Sequence, residues 1–215
     1  MFHTVRSLPR TVWLIGLISL INDSASELVY PLVPLYLTSV LMAGPRALGI
    51  IEGIAEATAS LLKLFSGLVV DRTARAKPWI VVGYALAAIG RPLTAFVTSW
   101  PGLLVIRFAD RVGKGLRTSP RDALLASSVD ARLRGLAFGV HRALDNAGAV
   151  VGPLLAAGLL ASGMALRDVF LWTLVPAVLC VALTGMLQEP PTKRAPTKIP
   201  TLGVGLSGMP PALRR

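Results

Sequence analysis

Charged residues are scarce in this 215-residue chain: Asp, Glu, Lys and Arg make up 15% of it, against 53% apolar residues. That excludes an ordinary water-soluble domain, which would have too little polar surface to cover itself. A mean hydropathy of +0.66 agrees, and makes lipid the solvent for much of the chain. Cysteine is nearly absent. The one thiol, Cys180, excludes an intrachain disulfide and, lying in the apolar stretch 175–183, reads as buried and inert. Histidines number two, and His141 has no clustered ligands around it, so neither a metal nor a cofactor is expected. Acidic residues number 11 against 22 basic ones, a net charge of +11 that on a soluble protein would suggest nucleic acid. Here the basic residues outside apolar stretches fall at alternate connections, as the positive-inside rule requires. The expected partner of this charge is therefore the lipid bilayer, and no nucleic acid is expected.

What is abundant is long apolar sequence. A spanning helix needs roughly 20 mostly apolar residues, and residues 11–40, 48–70, 79–98, 136–161 and 169–187 meet that need. Arg6 and Arg10 before 12–21 mimic a signal peptide, but the apolar stretch 28–40 follows directly, so the segment reads as one spanning helix with a polar patch. Between Trp100 and Val129 the apolar start runs into Asp110, Arg111, Lys114, Arg117, Arg121 and Asp122, which hydropathy alone would make a loop. Parity decides otherwise: a loop there would put Arg132, Arg134 and the later basic tail on the wrong side. With this segment as the fourth span, Arg6, Arg10, Arg72, Arg75, Lys77, Arg132, Arg134, Lys193, Arg194 and Lys198 all lie inside. The expected architecture is an all-α membrane protein of six transmembrane helices over 1–187, with both termini cytoplasmic. Pro45, Pro78 and Pro101 mark helix starts, whereas Pro31, Pro34, Pro92 and Pro153 lie within spans and invite kinks.

A charge near the bilayer centre costs about 2.5–3.5 kcal/mol even on insertion scales, so intramembrane ionisable groups face a cavity or one another. Helical rise places Asp23 and Arg91 near mid-membrane, with Arg111 and Lys114 at similar depth; Glu27, Glu52 and Glu56 lie toward the outside, and Lys63, Arg142 and Asp145 toward the cytoplasm. Positions three and four apart share a face, which groups Asp23 with Glu27, Glu52 with Glu56, and Arg107, Asp110, Arg111, Lys114 and Arg117 along the fourth span. Such charges serve either as ion pairs that hold the bundle or as a functional path. For Asp23 the neighbouring Asn22, Ser24 and Ser26 supply the hydrogen bonding that a proton-relay acid uses. Gly113-Lys114-Gly115 lacks the spacing and the preceding strand of a phosphate loop. No nucleophile, base and orienting group meet at helical spacings, so no enzyme activity is expected.

Three motifs carry a resemblance. Gly67 to Arg72, continuing to Arg75, resembles the G-x-x-x-D-[RK]-x-G-[RK]-[RK] loop of the major facilitator superfamily, with Ala74 and Ala76 departing from it. Gly139, Gly148, Gly152 and Pro153 match the G-x8-G-x3-G-P spacing associated with its antiporters, with Ala156-Ala157 in place of the last glycines. The run 110–122, together with 22–31 and 52–56, is similar to a group of bacterial facilitator proteins. The resemblance implies the amino-terminal six-helix half of such a transporter, working by alternating access. The first and fourth spans then line the path, the second and fifth form gates, and Asp71 gates against the other half.

On that reading Asp23 is the leading proton-coupling residue, and Arg91, Arg111 and Lys114 contact an anionic group or the deprotonated acid. Glu27, Glu52, Glu56, Asp110, Arg142 and Asp145 complete the cavity set. The helix 5 motif favours export of a small organic compound, with uptake of an organic anion as the alternative. A different class, a non-transporting membrane subunit binding acidic lipid or a partner protein, stays open. Residues 188–215, rich in proline and basic residues, read as a cytoplasmic linker toward a missing carboxy-terminal half. The expectation is thus a fragment or truncated product in the inner (plasma) membrane, completed by that half or by a second copy.

Overall fold

The computed structural model describes residues 7–73 and 75–189. Arg6, Ala74, Lys193, Arg194, Lys198 and the expected linker beyond Glu189 lie outside the described residues. Within them the chain folds as α1 (Arg10–Val29), α2 (Leu32–Ser39), α3 (Pro45–Thr73), α4 (Lys77–Leu93), α5 (Trp100–Ser127), α6 (Arg134–Ala161), α7 (Leu166–Trp172) and α8 (Leu174–Gly185). Short 3₁₀ turns at Thr94–Phe96 and Ala131–Leu133 follow α4 and precede α6. No strand occurs among the described residues.

Proline sets the breaks. Pro45 opens α3, and Pro78 and Pro101 sit in the first turns of α4 and α5, where a missing N–H leaves no bond unmade. Pro31 and Pro34 cannot donate to the carbonyls of Glu27 and Tyr30, and the first span accordingly divides into α1 and α2 at Tyr30-Pro31. Pro176 does the same to the last span. It cannot bond the Trp172 carbonyl, and the helix resets at Thr173, whose hydroxyl donates to the Phe170 carbonyl at 2.6 Å.

Two apolar layers close the ends of the bundle. One joins Leu8, Val12, Ile15 and Ile18 with Val70, Ile80, Tyr84, Leu124, Leu125, Ala137, Cys180 and Leu187. The other joins Leu28 to Leu37 with Ile51, Ala95, Val97, Leu103, Ala156, Val169 and Phe170. Each stretch of chain thus leaves one layer and enters the other, so the described residues make six end-to-end passes. Five are long and apolar enough to cross a membrane: Arg10–Ser39, Pro45–Thr73, Lys77–Phe96, Ala131–Ala161 and Leu166–Gly185. The remaining pass, α5, is a continuous 28-residue helix whose charges alone set it apart. As the sequence leads one to expect, Cys180 is buried, its thiol 3.8 Å from the Ile18 carbonyl.

The long helices form two packed sets that α8 bridges. α5 packs along α3 and α4, and α1 packs along α6, with α8 touching both α1 and α4. Glu52, Glu56 and Ser66 of α3 meet Arg107, Arg111 and Gly115 of α5 in rising order, so these two helices run parallel. α1 and α6 are parallel as well, since Gly16 meets Leu144, Leu20 meets Gly148 and Ser24 meets Gly152. A parallel pair needs an odd number of passes between its members, and α3, α4 and α5 supply it.

At one end the start of the third pass is tied to the end of the sixth. The Glu189 carboxylate accepts hydrogen bonds from the backbone N–H groups of Ala76 and Lys77, and Lys77 Nζ donates to the Gly185 carbonyl at 3.0 Å. An anion at a helix start satisfies orphan donors and opposes the positive end of the dipole. Glu189→Ala is expected to lower stability by about 1–2 kcal/mol, at the lower end for charged hydrogen bonds because the site is half-exposed. Amide hydrogen exchange should accelerate at Ala76 and Lys77; unchanged protection there would remove the capping role.

Candidate functional site

Between the two apolar layers lies a polar one, and α5 supplies most of it. Its buried stripe runs Leu103, Arg107, Asp110, Gly113, Arg117, Arg121 and Leu124, three or four residues apart, so the arginines occupy positions where a soluble helix would carry core residues. Each finds compensation from a neighbour. Arg107 places Nη2 and Nε 2.7 and 3.1 Å from Glu52 Oε1, with its guanidinium 5.6 Å from the Tyr30 ring centre. Arg111 pairs with Glu56 at 2.8 Å and more loosely with Glu52 at 3.9 Å. Asp110, only 3% exposed, receives Arg91 at 3.2 Å and its neighbour Arg111 at 3.5 Å. Arg91 also donates to the Asn22 carbonyl at 3.0 Å, which ties α4 to α1. Arg117 has no acid within ion-pair distance among the described residues; it donates to the Gly83 carbonyl at 3.2 Å and stacks 4.7 Å over Tyr84.

Glu52 and Glu56 thus meet the fourth pass as their shared face predicts. Asp23 does not. The sequence reading set it against Arg91, Arg111 and Lys114, but none of the three pairs with it: Arg91 and Arg111 are held by Asp110, Glu52 and Glu56. Asp23 instead accepts from Asn22 Nδ2 at 2.8 Å and faces the carboxyl of Asp145 on α6. Asp145, expected nearer the cytoplasm, belongs to the same level because the α1–α6 register brings Gly148, one turn on, against the Asp23 Cβ. Around this carboxyl pair stand Arg142, 3.5 Å from Asp145, and Arg121, 3.8 Å from Asp145 and 3.1 Å from Asp122. Glu27 is half-buried and Lys114 exposed, and neither has an ion-pair partner among the described residues.

Of the motif residues, Gly67 lies against Ser119, and the two share with Ser60, Lys63, Leu64, Leu68 and Asp71 an open groove of about 360 Å³. Asp71, Arg72 and Arg75 are exposed at the end of α3. Gly148 and Gly152 seat α6 on α1, while Gly139 faces open space and Pro153 lies inside the helix. His141 is fully buried, and neither ring nitrogen has a hydrogen-bond partner among the described residues. Sequence reasoning passed over Arg121 and Asp122 as site residues, and Arg117 as a core one. For Arg117 and Arg121 the available signal was their place on the stripe of Leu103 and Leu124; Asp122 lies off it.

Residues 12–214 match the sequence model of the Major Facilitator Superfamily. An uncharacterised MFS-type transporter of Methanocaldococcus jannaschii is 35% identical over 150 residues, 70% of this chain and 37% of the relative. Multidrug resistance protein MdtH of Citrobacter koseri is 32% identical over 173 residues, 80% of this chain and 42% of that protein. The chain thus spans about two fifths of the length of these relatives. The crystal structure of the human organic anion transporter MFSD10 (TETRAN) superposes on 88% of the chain with a TM-score of 0.70 at 22% identity, using 51% of its own length. A bacterial homolog of the human lysosomal transporter Spinster superposes on 87% of the chain with a TM-score of 0.68 at 18% identity, using 46% of its length. Both share the fold.

Proposed function

Because this chain belongs to the major facilitator superfamily, we propose that it is the amino-terminal six-span half of a proton-coupled transporter that exports a small organic compound by alternating access. The family's members are transporters and multi-pass membrane proteins; the finer reading rests on the site. Its six passes become six membrane spans, with α5 carried through the bilayer because Glu52, Glu56 and Arg91 compensate its charges. Arg10, Arg72, Arg75, Lys77, Arg132 and Arg134 then lie at one face, which puts both termini in the cytoplasm of a plasma-membrane protein.

The observation that carries proton coupling is the meeting of Asp23 and Asp145 at mid-depth. Two carboxyls in contact, with Asn22 donating to one of them, form a site that one proton can enter and leave. Export rather than anion uptake is favoured by the same geometry. Arg91 and Arg111 are each already engaged by an acid, so of the three cations read from sequence as anion contacts Lys114 alone stands without an ion-pair partner among the described residues. Asp71, Arg72 and Arg75 with the groove at Gly67 form the gate toward the second half, and the exposed apolar side chains of α3 and α6, such as Leu61, Leu64, Val150 and Leu154, supply surface for it.

The test is proton-coupled flux in proteoliposomes, comparing this chain with the same chain joined to a matching carboxy-terminal half. Flux from the joined form only, lost in Asp23→Asn, is the expected result. Flux from the chain alone would instead make it a working dimer. No flux from either form, with the chain retained on vesicles of acidic lipid, would favour a non-transporting subunit.

A further inference from the structure

The buried node around Asp145 holds more than the two carboxyls that proton coupling requires. Arg121, 8% exposed, stands where α5, α1 and α6 meet. Its Nε and Nη2 bond Asp122 Oδ1 at 3.2 and 3.1 Å, and its Nη1 reaches Ser19 Oγ of α1 at 3.3 Å. The same Nη1 lies 3.8 Å from Asp145 Oδ1, short of a hydrogen bond. From α4, Tyr84 faces the guanidinium. From α6, His141 approaches the cluster, and Arg142, more than half exposed, holds the other oxygen of Asp145.

The node's property is its change of charge. Arg121 and Arg142 lie within ion-pair distance of its carboxyls Asp122 and Asp145, and Arg117, one turn before Arg121 on α5, acts on Asp23 from further off. Loss of one proton from the Asp23–Asp145 pair leaves the α1–α6 side with one more negative charge. The Nη1 end of Arg121 is already aimed at that side, 3.8 Å from Asp145 Oδ1. α5 touches α1 and α6 sparsely compared with its contacts to α3 and α4, so a side-chain tie here has leverage over how α3, α4 and α5 sit against α1 and α6.

We propose that Arg121 is the positioning residue of this proton site: it draws α5 against α1 and α6 when the Asp23–Asp145 pair is empty of its proton and falls back on Asp122 when the pair is loaded. Proton occupancy is thereby converted into a change between the α3–α4–α5 group and the α1–α6 pair. This rests on the proton-coupled reading above. Nothing in it requires Arg121 to touch substrate.

Spin labels at Leu64 of α3 and Ala143 of α6, both exposed, would report the separation of the two groups in the chain reconstituted in lipid nanodiscs. The expected result is a shift in the inter-label distance between acidic and alkaline buffer, lost in Arg121→Gln. Arg121→Lys keeps the charge but cannot bond two acids with a planar fork, so it should show a reduced shift, and it decides the matter if the glutamine variant does not fold. A full shift in either Arg121 variant, or none in the unsubstituted chain, overturns the proposal. Loss of the shift in Asp145→Asn with its survival in Arg121→Gln would sink Arg121 alone. A shift that survives Asp23→Asn combined with Asp145→Asn would sink the proton site itself.

Discussion

Asp110→Ala is expected to destabilise the chain by about 3–5 kcal/mol, the range for removing one partner of a buried ion pair. The carboxylate holds Arg91 and Arg111, whose side chains are 7% and 6% exposed. Taking it away leaves Arg91 with the Asn22 carbonyl as its hydrogen-bond acceptor and leaves a buried positive charge facing a cavity. Asp110→Asn keeps the size and one acceptor oxygen, so its cost should fall below that of alanine. Glu56→Gln makes the contrast. The Glu56 side chain is 54% exposed, and Arg111 retains Asp110 and Glu52, so its loss should cost no more than about 1 kcal/mol. Unfolding in mixed micelles with increasing SDS would rank the three variants. Alanine at 110 no more costly than glutamine at 56 would mean that water, rather than Asp110, compensates these arginines.

That ranking bears on why the fold was more legible in the sequence than the site. Pro45, Pro78, Pro101 and the five apolar stretches place the helix starts and passes directly, because each signal is local to the helix it describes. The fourth pass was hidden from hydropathy, since the charges that disqualify it are neutralised by Glu52, Glu56 and Arg91 on other helices. Only the alternation of basic loops revealed it. Shared helical faces correctly joined Glu52 and Glu56 to α5. They could not reveal that Asp23 turns to Asp145, because that meeting depends on how deeply α1 sinks into α6 at Gly148 and Gly152. Nor could they distinguish Lys114, which points outward, from Arg117 and Arg121, three and seven positions on, which turn inward. The helical period alone does not make that separation: at about 100° per residue Lys114 falls on the same stripe as Leu103, Arg107 and Arg121, and its exposure depends on what the neighbouring helices cover.

The α1–α6 seam gives the second large effect. A Cβ at Gly152 would stand 2.5 Å from the Ser24 carbonyl oxygen and 2.8 Å from the Leu28 nitrogen; one at Gly148 would stand 2.5 Å from the Leu20 oxygen. These are backbone atoms of a helix and cannot swing aside, so α1 has to move outward. Gly152→Val should therefore cost at least the roughly 1–3 kcal/mol typical of overpacking, and the same displacement should pull Asp23 from Asp145. Gly139 and Gly158 face open space, and alanine there should be neutral to slightly stabilising, by up to about 1 kcal/mol from helix propensity. Unfolding in micelles measures both arms, and near-equal stabilities for Gly152→Val and Gly139→Ala would mean that α6 does not seat on α1 in this register. The same pair of sites separates two meanings of the G-x8-G-x3-G-P spacing. Gly148 and Gly152 are required by packing within this bundle, whatever its function. Gly139 has no such duty here, so if Gly139→Val in the joined transporter stops coupled flux while stability holds, that part of the motif acts against the second half.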